Sequence, residues 1–334
     1  MRLLRKIAFP VSLVYALVVH VRNYLYDIGF LKSRSFDIPV ICIGNLSVGG
    51  TGKTPMIELL ISLFQDSYSI AVLSRGYKRK SKGFLIGGRE STFEELGDEP
   101  FQIKSKFPKV VVAVDANRTR GILELKKQVT PKVILLDDAF QHRKVRPGYS
   151  ILLTAYSNLY VDDWYLPTGD LRDGKKEAKR ANAIIVTKCP SALSQKERDT
   201  ITSRLKPKNN QQVFFSSLAY DLPVKDTKTI SWGDLGNLKI TLVTGIAYPK
   251  PLVDFLNDKG LVFEHLRFGD HHYFSNDELD LFRSKECILT TEKDYVRLNG
   301  KLKNLYYIPV RHNFLNDGED VLTKKLSEFM MQDP

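Results

Sequence analysis

The sequence predicts an α/β fold in which a mostly parallel sheet is joined to a second, smaller α/β unit. Three observations support this prediction. A buried strand, a glycine-rich turn and a helix follow one another within residues 39–60. Short apolar runs then alternate with helical segments along the rest of the chain, which is typical of parallel sheets. The clearest polar break, KPKNNQQ at residues 206–212, separates the two parts.

The sequence of residues 1–36 predicts a helix with basic flanks. An apolar run at residues 7–21 lies between two basic clusters and contains Pro10 and Ser12. It is shorter than the ~20 residues of a membrane span, and no small-residue cleavage site follows it, so neither a transmembrane helix nor a signal peptide is predicted. Two interpretations remain. The helix lies in the interface of an anionic membrane, or it packs on the core of the domain.

Residues 39–60, PVICIGNLSVGGTGKTPMIELL, have the pattern of a P-loop. Glycines let the backbone approach an anion and aim N–H groups at it, and the N-terminus of the following helix adds partial positive charge. Lys53 is then expected to reach the β- and γ-phosphates of a nucleotide, and the Thr54 hydroxyl to ligate Mg²⁺. The P-loop pattern has glycine where this chain has Ser47, and the doublet Gly49-Gly50 is expected to supply the flexibility.

Cations follow several of the predicted strands. The loop SRGYKRKSKG after the second strand carries Arg75 and Lys78, and a later strand runs into a helix at Arg118. In open parallel sheets ligands bind beyond this end of the strands, so these residues are candidates for phosphate or headgroup contacts; the alternative is that they are solvated. Arg172, between two later strands, has the same two interpretations. Asp98 opens a helix, where an acidic residue taken alone is interpreted as a cap.

The run VILLDDAFQHRKV at residues 133–145 is the second strong signal. Four apolar residues followed by Asp137 and Asp138 predict a buried strand that ends in carboxylates, the arrangement that holds Mg²⁺ in P-loop NTPases. Gln141 and His142 extend the loop with polar groups that could meet phosphate. Further along, residues 187–190 (TKCP) resemble the guanine-reading loop of GTPases but lack its aspartate, which favours ATP over GTP.

Composition fits a globular protein with two domains. The chain has 334 residues, 43% of them hydrophobic, which is enough for a large core. Its three cysteines have neither disulfide nor metal-ligand spacing, so a reducing, cytosolic compartment is expected. A net charge of +12 favours anionic partners, whether nucleic acid, acidic phospholipid or a phosphorylated substrate.

Three units are predicted: an N-terminal helical segment (1–36), a P-loop domain (37–212) and a smaller α/β domain (213–334). In the last unit Asp270-His271-His272 stands out, because a histidine beside a carboxylate can take a proton near neutral pH.

Eight motifs in this order closely resemble the tetraacyldisaccharide 4'-kinase family, the lipid A kinases of Gram-negative bacteria. They are GNLSVGGTGKTP, LSRGYKRK, GDEPF, DDAFQHR, GDLR, VTK, FGDHHYF and TEKDYVRL, and they span most of the chain. The resemblance accounts for Ser47, because the family's loop commonly reads [ST]-V-G-G-x-G-K-T. This chain departs from the family's commoner wording at residues 80–82 and 170–173.

The resemblance implies transfer of the γ-phosphoryl group of ATP, with Mg²⁺, to the 4'-hydroxyl of a lipid disaccharide 1-phosphate. It implies two αβα lobes joined by a β linker, which is mapped to strands near 213–220 and 305–310. It also implies that the N-terminal helix rests on the cytoplasmic face of the bacterial inner membrane as a peripheral anchor. No nucleic acid and no obligate protein partner is expected.

Carried over onto this chain, the resemblance assigns the functional residues. Asp98 is the expected catalytic acid group and His271, chosen over His272, its partner, while Lys53 stabilises charge in the transition state. The residues expected to hold the triphosphate are Ser47, Val48, Gly49, Gly50, Thr51, Gly52, Lys53 and Thr54. The expected magnesium ligands are Thr54, Asp137 and Asp138. The weaker candidates for substrate or phosphate contacts are Arg75, Lys78, Arg118, Gln141, His142, Arg172 and His272.

Two alternatives belong to other functional classes. One is a membrane-positioned regulatory P-loop ATPase without a small-molecule acceptor; such proteins carry an extra lysine early in the loop, where this chain has Ser47 and Val48. The other is a nucleic-acid-binding NTPase, suggested by the isoelectric point near 9.4. That class needs aromatic stacking platforms or a recognised binding module, and the sequence has neither.

Overall fold

The computed structural model describes residues 5, 7–225 and 227–332. Of the predicted basic flank, Arg2 and Lys6 lie outside the described residues, as do the last two residues of the predicted C-terminal domain. The strands are β1 Val40–Asn45, β2 Ile70–Ser74, β3 Leu85–Ile86, β4 Val111–Val114, β5 Val133–Asp137, β6 Tyr149–Ala155, β7 Ala183–Thr187, β8 Gln212–Tyr220, β9 Val224–Lys225, β10 Lys228–Thr229, β11 Ile240–Thr244, β12 Phe263–Arg267, β13 Cys287–Thr291, β14 Leu305–Ile308 and β15 Val310–Phe314.

Helices alternate with these strands. The α-helices are α1 Phe9–Asp27, α2 Lys53–Phe64, α3 Phe93–Leu96, α4 Asp98–Lys106, α5 Arg118–Gln128, α6 Gln195–Leu205, α7 Trp232–Gly236, α8 Lys250–Asp258, α9 Asn276–Arg283, α10 Glu292–Leu298 and α11 Gly318–Met331, and a 3₁₀ helix covers Lys175–Arg180. None of the helices in the described part of the chain is long and apolar enough to cross a membrane.

The large lobe is built on a nine-stranded sheet in the order β15-β8-β7-β6-β1-β5-β2-β4-β3. Seven neighbouring strands, from β8 to β4, are parallel, and the two edge strands are antiparallel. Val40 and Cys42 pack in one apolar cluster and Ile41 and Ile43 in another, so the alternating side chains of β1 fill the cores on both faces. The central position of β1 places the loop that follows it in the middle of the sheet.

The small lobe has a six-stranded sheet in the order β10-β9-β14-β13-β11-β12. Its four long strands are parallel and carry helices between them. The predicted α/β fold with a mostly parallel P-loop sheet and a second, smaller unit is confirmed.

The chain passes between the lobes twice, and the return differs from the predicted boundary. β14 completes the small sheet, whereas β15, two residues later, pairs antiparallel with β8 at the edge of the large sheet. The final helix then buries Leu322, Leu326 and Met330 in the large core. Residues 212–220 and 310–331 therefore lie with the large lobe, although the sequence assigned 213–334 to the smaller unit, because β8 pairs with β7 and β15 pairs with β8.

Candidate active site

The loop between β1 and α2 holds two glycines in left-handed conformations. Gly49 has φ 106° and Gly52 has φ 86°, a region that residues with a Cβ rarely adopt. A Cβ on Gly52 would also lie 3.0 Å from the ring of His312, so this position needs glycine for space as well as for its dihedral angle. Gly50 lies between them. The loop has the shape of a phosphate cradle at the N-terminus of α2.

Polar side chains of the loop are used to fix its shape. Ser47 is buried and donates from Oγ to Asp163 at 3.1 Å. Thr51 is buried as well, and its hydroxyl accepts a hydrogen bond of 2.9 Å from the Asn45 amide. Val48, by contrast, is exposed and is held through its N–H, which donates to a backbone carbonyl 2.7 Å away. These three contacts fix the shape of the loop over residues 47–51, and the N–H of Val48 is already used within the protein.

Lys53, the first residue of α2, faces the two carboxylates at the end of β5, and Thr54 follows it in the first helical turn. The Nζ of Lys53 lies 3.7 Å from Asp138 Oδ1. Burial lowers the pKa of Lys53 in spite of the neighbouring carboxylates. Burial, and then the charge of Asp138, raises the pKa of Asp137 to about 6.

Arg172 belongs to this site and is not a solvated residue. Burial opposes the ionisation of Asp138, but Lys53 and Arg172 outweigh it and lower the pKa of Asp138 to about 2. The Arg172 guanidinium contacts both carboxylate oxygens of Asp138, with 3.0 Å from Nη1 to Oδ2, and also contacts the Asn45 side chain. It is thereby a charge partner for the carboxylate that also faces Lys53.

Three further candidates lie around the ends of β1 and β5. Arg118 is 3% exposed and donates from Nη2 to the carbonyl of Asp137 at 3.2 Å. Gln141 donates to the carbonyl of Asn45 at 2.7 Å. Burial, followed by the charge of Arg118, lowers the pKa of His142 to about 4. In this structure Arg118 and Gln141 hold backbone carbonyls at the ends of the strands that carry the loop and the carboxylates.

The basic loop after β2 lies beside the small lobe. Arg75 and Lys78 are both exposed, and the Lys78 ammonium is 5.8 Å from the centre of the Tyr77 ring. Tyr77 in turn packs edge-on against His271, with 5.7 Å between ring centres. The loop therefore brings exposed positive charge next to a histidine of the other lobe.

Asp98 and His271 meet across the two lobes. Nδ1 of His271 lies 2.6 Å from Asp98 Oδ2, and Arg297 contacts both oxygens of the same carboxylate, with 3.1 Å from Nε to Oδ1. Burial opposes the ionisation of Asp98, but the hydrogen bonds from His271 and Arg297 outweigh it and lower its pKa to about 2. The interpretation of Asp98 as a cap is wrong. Gly97 is the N-cap of α4, without a side-chain cap bond, and the Asp98 side chain bonds to His271 and Arg297 of the other lobe.

The other imidazole nitrogen of His271 is also engaged. Lys293 Nζ lies 3.0 Å from His271 Nε2, 3.2 Å from Asp270 Oδ1 and 3.5 Å from Glu99 Oε1. The Glu99 carboxylate contributes to raising the pKa of Asp137 and acts on Lys53 as well. The start of α4 therefore lies near enough to the phosphate loop for its charges to be felt there.

The side chain of His272 lies apart from this cluster, although its backbone carbonyl accepts from Arg297 Nη1 at 3.2 Å. Its Nε2 is 2.9 Å from Glu278 Oε2, and its ring stacks on Phe268 with 4.8 Å between centres. Of the two adjacent histidines, His271 is the one bonded to Asp98, and His272 fixes the loop before α9.

Three residues of the cluster were not assigned roles from the sequence: Arg297, Lys293 and Glu99. Arg297 is 2% exposed, lies on α10 and pairs with Asp98 across 199 residues of chain. The motif TEKDYVRL contains both Lys293 and Arg297, so an arginine one turn beyond the lysine of a helix was the available signal. What the motif lacks is any indication of which carboxylate it would meet.

Taken together, the two lobes bring an anion cradle, paired carboxylates and an Asp–His pair to one region, which suits phosphoryl transfer to a hydroxyl. The family model for tetraacyldisaccharide-1-P 4'-kinase matches residues 4–330. The chain belongs to this family. The resemblance seen in the motifs is confirmed, and so is the expectation that the protein is a kinase of lipid A biosynthesis.

Relatives within the family are similar over nearly their whole length. The chain is 52% identical to a tetraacyldisaccharide 4'-kinase of Flavobacterium johnsoniae, covering 95% of this chain and 94% of the relative. It is 43% identical to the enzyme of Bacteroides thetaiotaomicron, covering 98% and 94%. A crystal structure described as the "apo" form of LpxK from Aquifex aeolicus in complex with ATP is 31% identical, covers 98% of this chain and 99% of that chain, and superposes with a TM-score of 0.81.

Proposed function

We propose that this kinase transfers the γ-phosphoryl group of ATP to the 4'-hydroxyl of tetraacyldisaccharide 1-phosphate, with the Asp98–His271 pair taking the proton of the hydroxyl. The observation that carries the proposal is the 2.6 Å bond between Asp98 and His271, formed between lobes and near the phosphate loop. A base divided between two lobes is complete only when both are in place, which links chemistry to closure around the substrates.

The proton would be taken at Nε2 of His271. The ionised Asp98 carboxylate can only accept, so Nδ1 carries a proton toward it and the lone pair lies on Nε2. In the structure Nε2 faces the Lys293 ammonium at 3.0 Å. The acceptor hydroxyl would take the place of that ammonium, and Asp98 would stabilise the imidazolium that forms.

The phosphate loop would hold the triphosphate through the backbone of residues 47–54. Support comes from the left-handed glycines and from Lys53 at the start of α2. Lys53 and Arg172 would stabilise negative charge on the transferring group, since positioning and charge neutralisation supply most of the catalysis in phosphoryl transfer. Arg75 and Lys78 are proposed to contact the phosphate of the lipid, because they are exposed cations beside His271.

The residues around β5 fit a magnesium ion. Two adjacent carboxylates and a threonine hydroxyl are oxygen ligands of the kind Mg²⁺ prefers. Burial and the charge of Asp138 raise the pKa of Asp137 to about 6. The ionised form of Asp137 is therefore unfavourable here, and a divalent cation would stabilise it. Thr54, Asp137 and Asp138 would hold the ion, which would supply positive charge to offset that of the phosphates.

The helix α1 is proposed to rest on the cytoplasmic face of the inner membrane. One face is apolar and exposed: Val14, Leu17 and Val18 are 63%, 64% and 62% exposed and lie at helical spacing. The opposite face is bonded to the large lobe, with Asn23 Nδ2 2.7 Å from Asp173 Oδ1. Both interpretations drawn from the sequence are thus supported, one for each face.

Transfer of label from [γ-³²P]ATP to disaccharide 1-phosphate in detergent micelles tests the proposal. We expect label in the lipid with the wild type and with Mg²⁺, and none above background with Lys53→Ala. Label released only as inorganic phosphate, at the same rate with and without lipid, would instead favour a regulatory ATPase.

A further inference from the structure

The backbone of the phosphate loop is held from behind by two buried side chains that none of the roles above uses. Thr187, the last residue of β7, is fully buried, and its Oγ1 donates to the carbonyl of Thr51 at 2.9 Å, with the carbonyl of Thr154 further away at 3.3 Å. His312, on β15, is 1% exposed and lies with Nε2 2.8 Å from the carbonyl of Gly52. Two consecutive carbonyls of the loop are therefore bonded to side chains of the sheet.

The protonation of His312 follows from its partners. The Gly52 carbonyl can only accept, so Nε2 carries the proton. Nδ1 is then the acceptor, and it takes the hydrogen of the Ser216 hydroxyl at 2.5 Å. Burial lowers the pKa of His312 to about 4, in agreement with a neutral ring that has one donor and one acceptor. Ser216 thereby fixes the tautomer that donates to the loop.

Holding a carbonyl also sets the direction of the next amide. The Thr51–Gly52 and Gly52–Lys53 peptide bonds are both trans, so in each peptide plane the N–H points in the direction opposite to the C=O. A bond that pulls the Thr51 carbonyl toward Thr187 turns the N–H of Gly52 away from the sheet, and the bond to His312 does the same for the N–H of Lys53. These are amides at the N-terminus of α2, where an anion binds.

We infer that Thr187 and His312 are positioning residues of the nucleotide site, which pre-orient two N–H donors for the phosphates. Thr187 has the larger effect, because the Gly52 carbonyl also accepts from Met56 N–H at 3.1 Å and keeps that bond without His312. His312 also packs on the loop, since its ring lies so close to Gly52 that a Cβ there would be 3.0 Å from it. The inference rests on the nucleotide site proposed above.

ATP affinity of the full-length protein, measured by isothermal titration without lipid, tests it. Thr187→Val keeps the shape and removes the donor, and Thr187→Ser restores the donor. We expect Thr187→Val to bind ATP about tenfold more weakly, the size expected when a buried acceptor loses its donor, and Thr187→Ser to bind within about threefold of wild type. Thr290→Val is the matched control: Thr290 is equally buried and donates to a backbone carbonyl at 2.8 Å, but in the small lobe.

Unchanged ATP affinity in Thr187→Val would overturn the inference, as would equal losses in Thr187→Val and Thr290→Val. If Thr187→Val does not fold, the pair His312→Phe and His312→Gln decides in its place: weaker binding with Phe and recovery with Gln supports the inference, and wild-type affinity with both overturns it. Lys53→Ala separates the two levels. If Lys53→Ala binds ATP as well as wild type, the proposed nucleotide site is wrong. If Lys53→Ala loses ATP binding while Thr187→Val and His312→Phe keep it, only the positioning role is wrong.

Discussion

Single residues of the active site owe their charge to a few neighbours. Asp98 is buried, yet the bonds from His271 and Arg297 keep it ionised, with a pKa of about 2. A carboxylate held in that way is a weak base itself, and the role proposed for it is to orient the imidazole and stabilise the charge that develops there. The pairing therefore predicts separate effects on chemistry and on nucleotide binding.

Asp98→Asn is expected to lower kcat by about 10²–10⁴-fold, because the imidazole loses the charge that supports it as a base. ATP affinity should stay within about threefold, since Asp98 holds no part of the phosphate loop. Steady-state kinetics with lipid acceptor and titration of ATP check the two halves. Glu278→Gln is the matched control, because it removes the carboxylate partner of the other histidine, His272. Equal losses in both variants would contradict the assignment of His271.

At the scale of elements, three helices that carry active-site residues meet in one buried ion cluster. Lys106 at the end of α4 lies 2.7 Å from Glu58 on α2 and 2.7 Å from Glu292 at the start of α10. Burial, followed by the charge of Glu292, raises the pKa of Glu58 to about 7. The cluster ties the helices of Lys53, Asp98 and Arg297 to one another across the lobes.

Lys106→Met is expected to destabilise the protein by about 2–3 kcal/mol near pH 8, less than for a fully buried pair because Lys106 is 33% exposed. Without the ammonium, burial and the charge of Glu292 raise the pKa of Glu58 further above its unfolded value. A protein that contains an acid with a raised pKa in the folded state loses stability as the pH rises from the unfolded-state pKa to the folded-state pKa. The stability deficit of Lys106→Met should therefore be small near pH 5 and grow toward pH 8.

Urea unfolding at several pH values measures this deficit. Lys104→Met on the same helix is the control, because Lys104 bonds only to backbone carbonyls of its own segment, at 3.0 and 3.3 Å, among the described residues. A deficit in Lys106→Met that does not change with pH would show that the cluster is not coupled as proposed.

The exposed face of α1 gives a further prediction at this scale. The double substitution Leu17→Glu and Val18→Glu places two charges on the apolar face, where they oppose contact with the interior of the interface and with anionic headgroups. Sedimentation with vesicles containing anionic phospholipid should show at least about tenfold weaker binding, with ATP affinity unchanged. Val262→Glu, at an 89% exposed position of the small lobe, is the control. Equal vesicle binding by all three proteins would contradict a membrane role for α1.

Elements were predictable where they have local patterns. The buried strands β1, β2 and β5 appear as apolar runs, and α2 follows its glycine turn, because period and turn chemistry act over a few residues. The edge strand β15 was not recognised as part of the large sheet. Its place depends on pairing with β8, about 90 residues earlier, and no local signal records such a partner.

At the scale of the whole molecule, the proposed site lies between the two lobes, which explains why its parts were predictable and its arrangement was not. The P-loop and the paired aspartates each lie within one short motif, so their chemistry is visible in sequence. Arg297 and Lys293 acquire a role only because folding brings α10 against α4. The same arrangement places an ammonium where the acceptor hydroxyl is proposed to bind.

The position of the Lys293 ammonium predicts that the kinase hydrolyses ATP slowly when no lipid is bound. Lys293 is held by Asp270 and Glu99 and lies 3.0 Å from Nε2 of His271, so the lone pair that would accept a proton is already bonded. An acceptor hydroxyl, delivered with the binding energy of a lipid, can displace the ammonium, whereas a water molecule brings no such energy.

Lys293→Met is therefore expected to raise acceptor-free ATP hydrolysis several-fold, about the effect of freeing one charge-assisted hydrogen bond, while the wild type hydrolyses ATP slowly without lipid. Release of phosphate from ATP, measured with and without disaccharide 1-phosphate, checks both statements. Lys301→Met serves as control, because Lys301 lies nearby on the same lobe and contacts only the Phe93 ring through its ammonium, at 5.9 Å, among the described contacts. Identical rates of acceptor-free ATP hydrolysis in wild type and Lys293→Met would mean that the ammonium does not block the imidazole. Equal rates of phosphate release by the wild type with and without lipid would contradict the prediction that hydrolysis is slow without lipid.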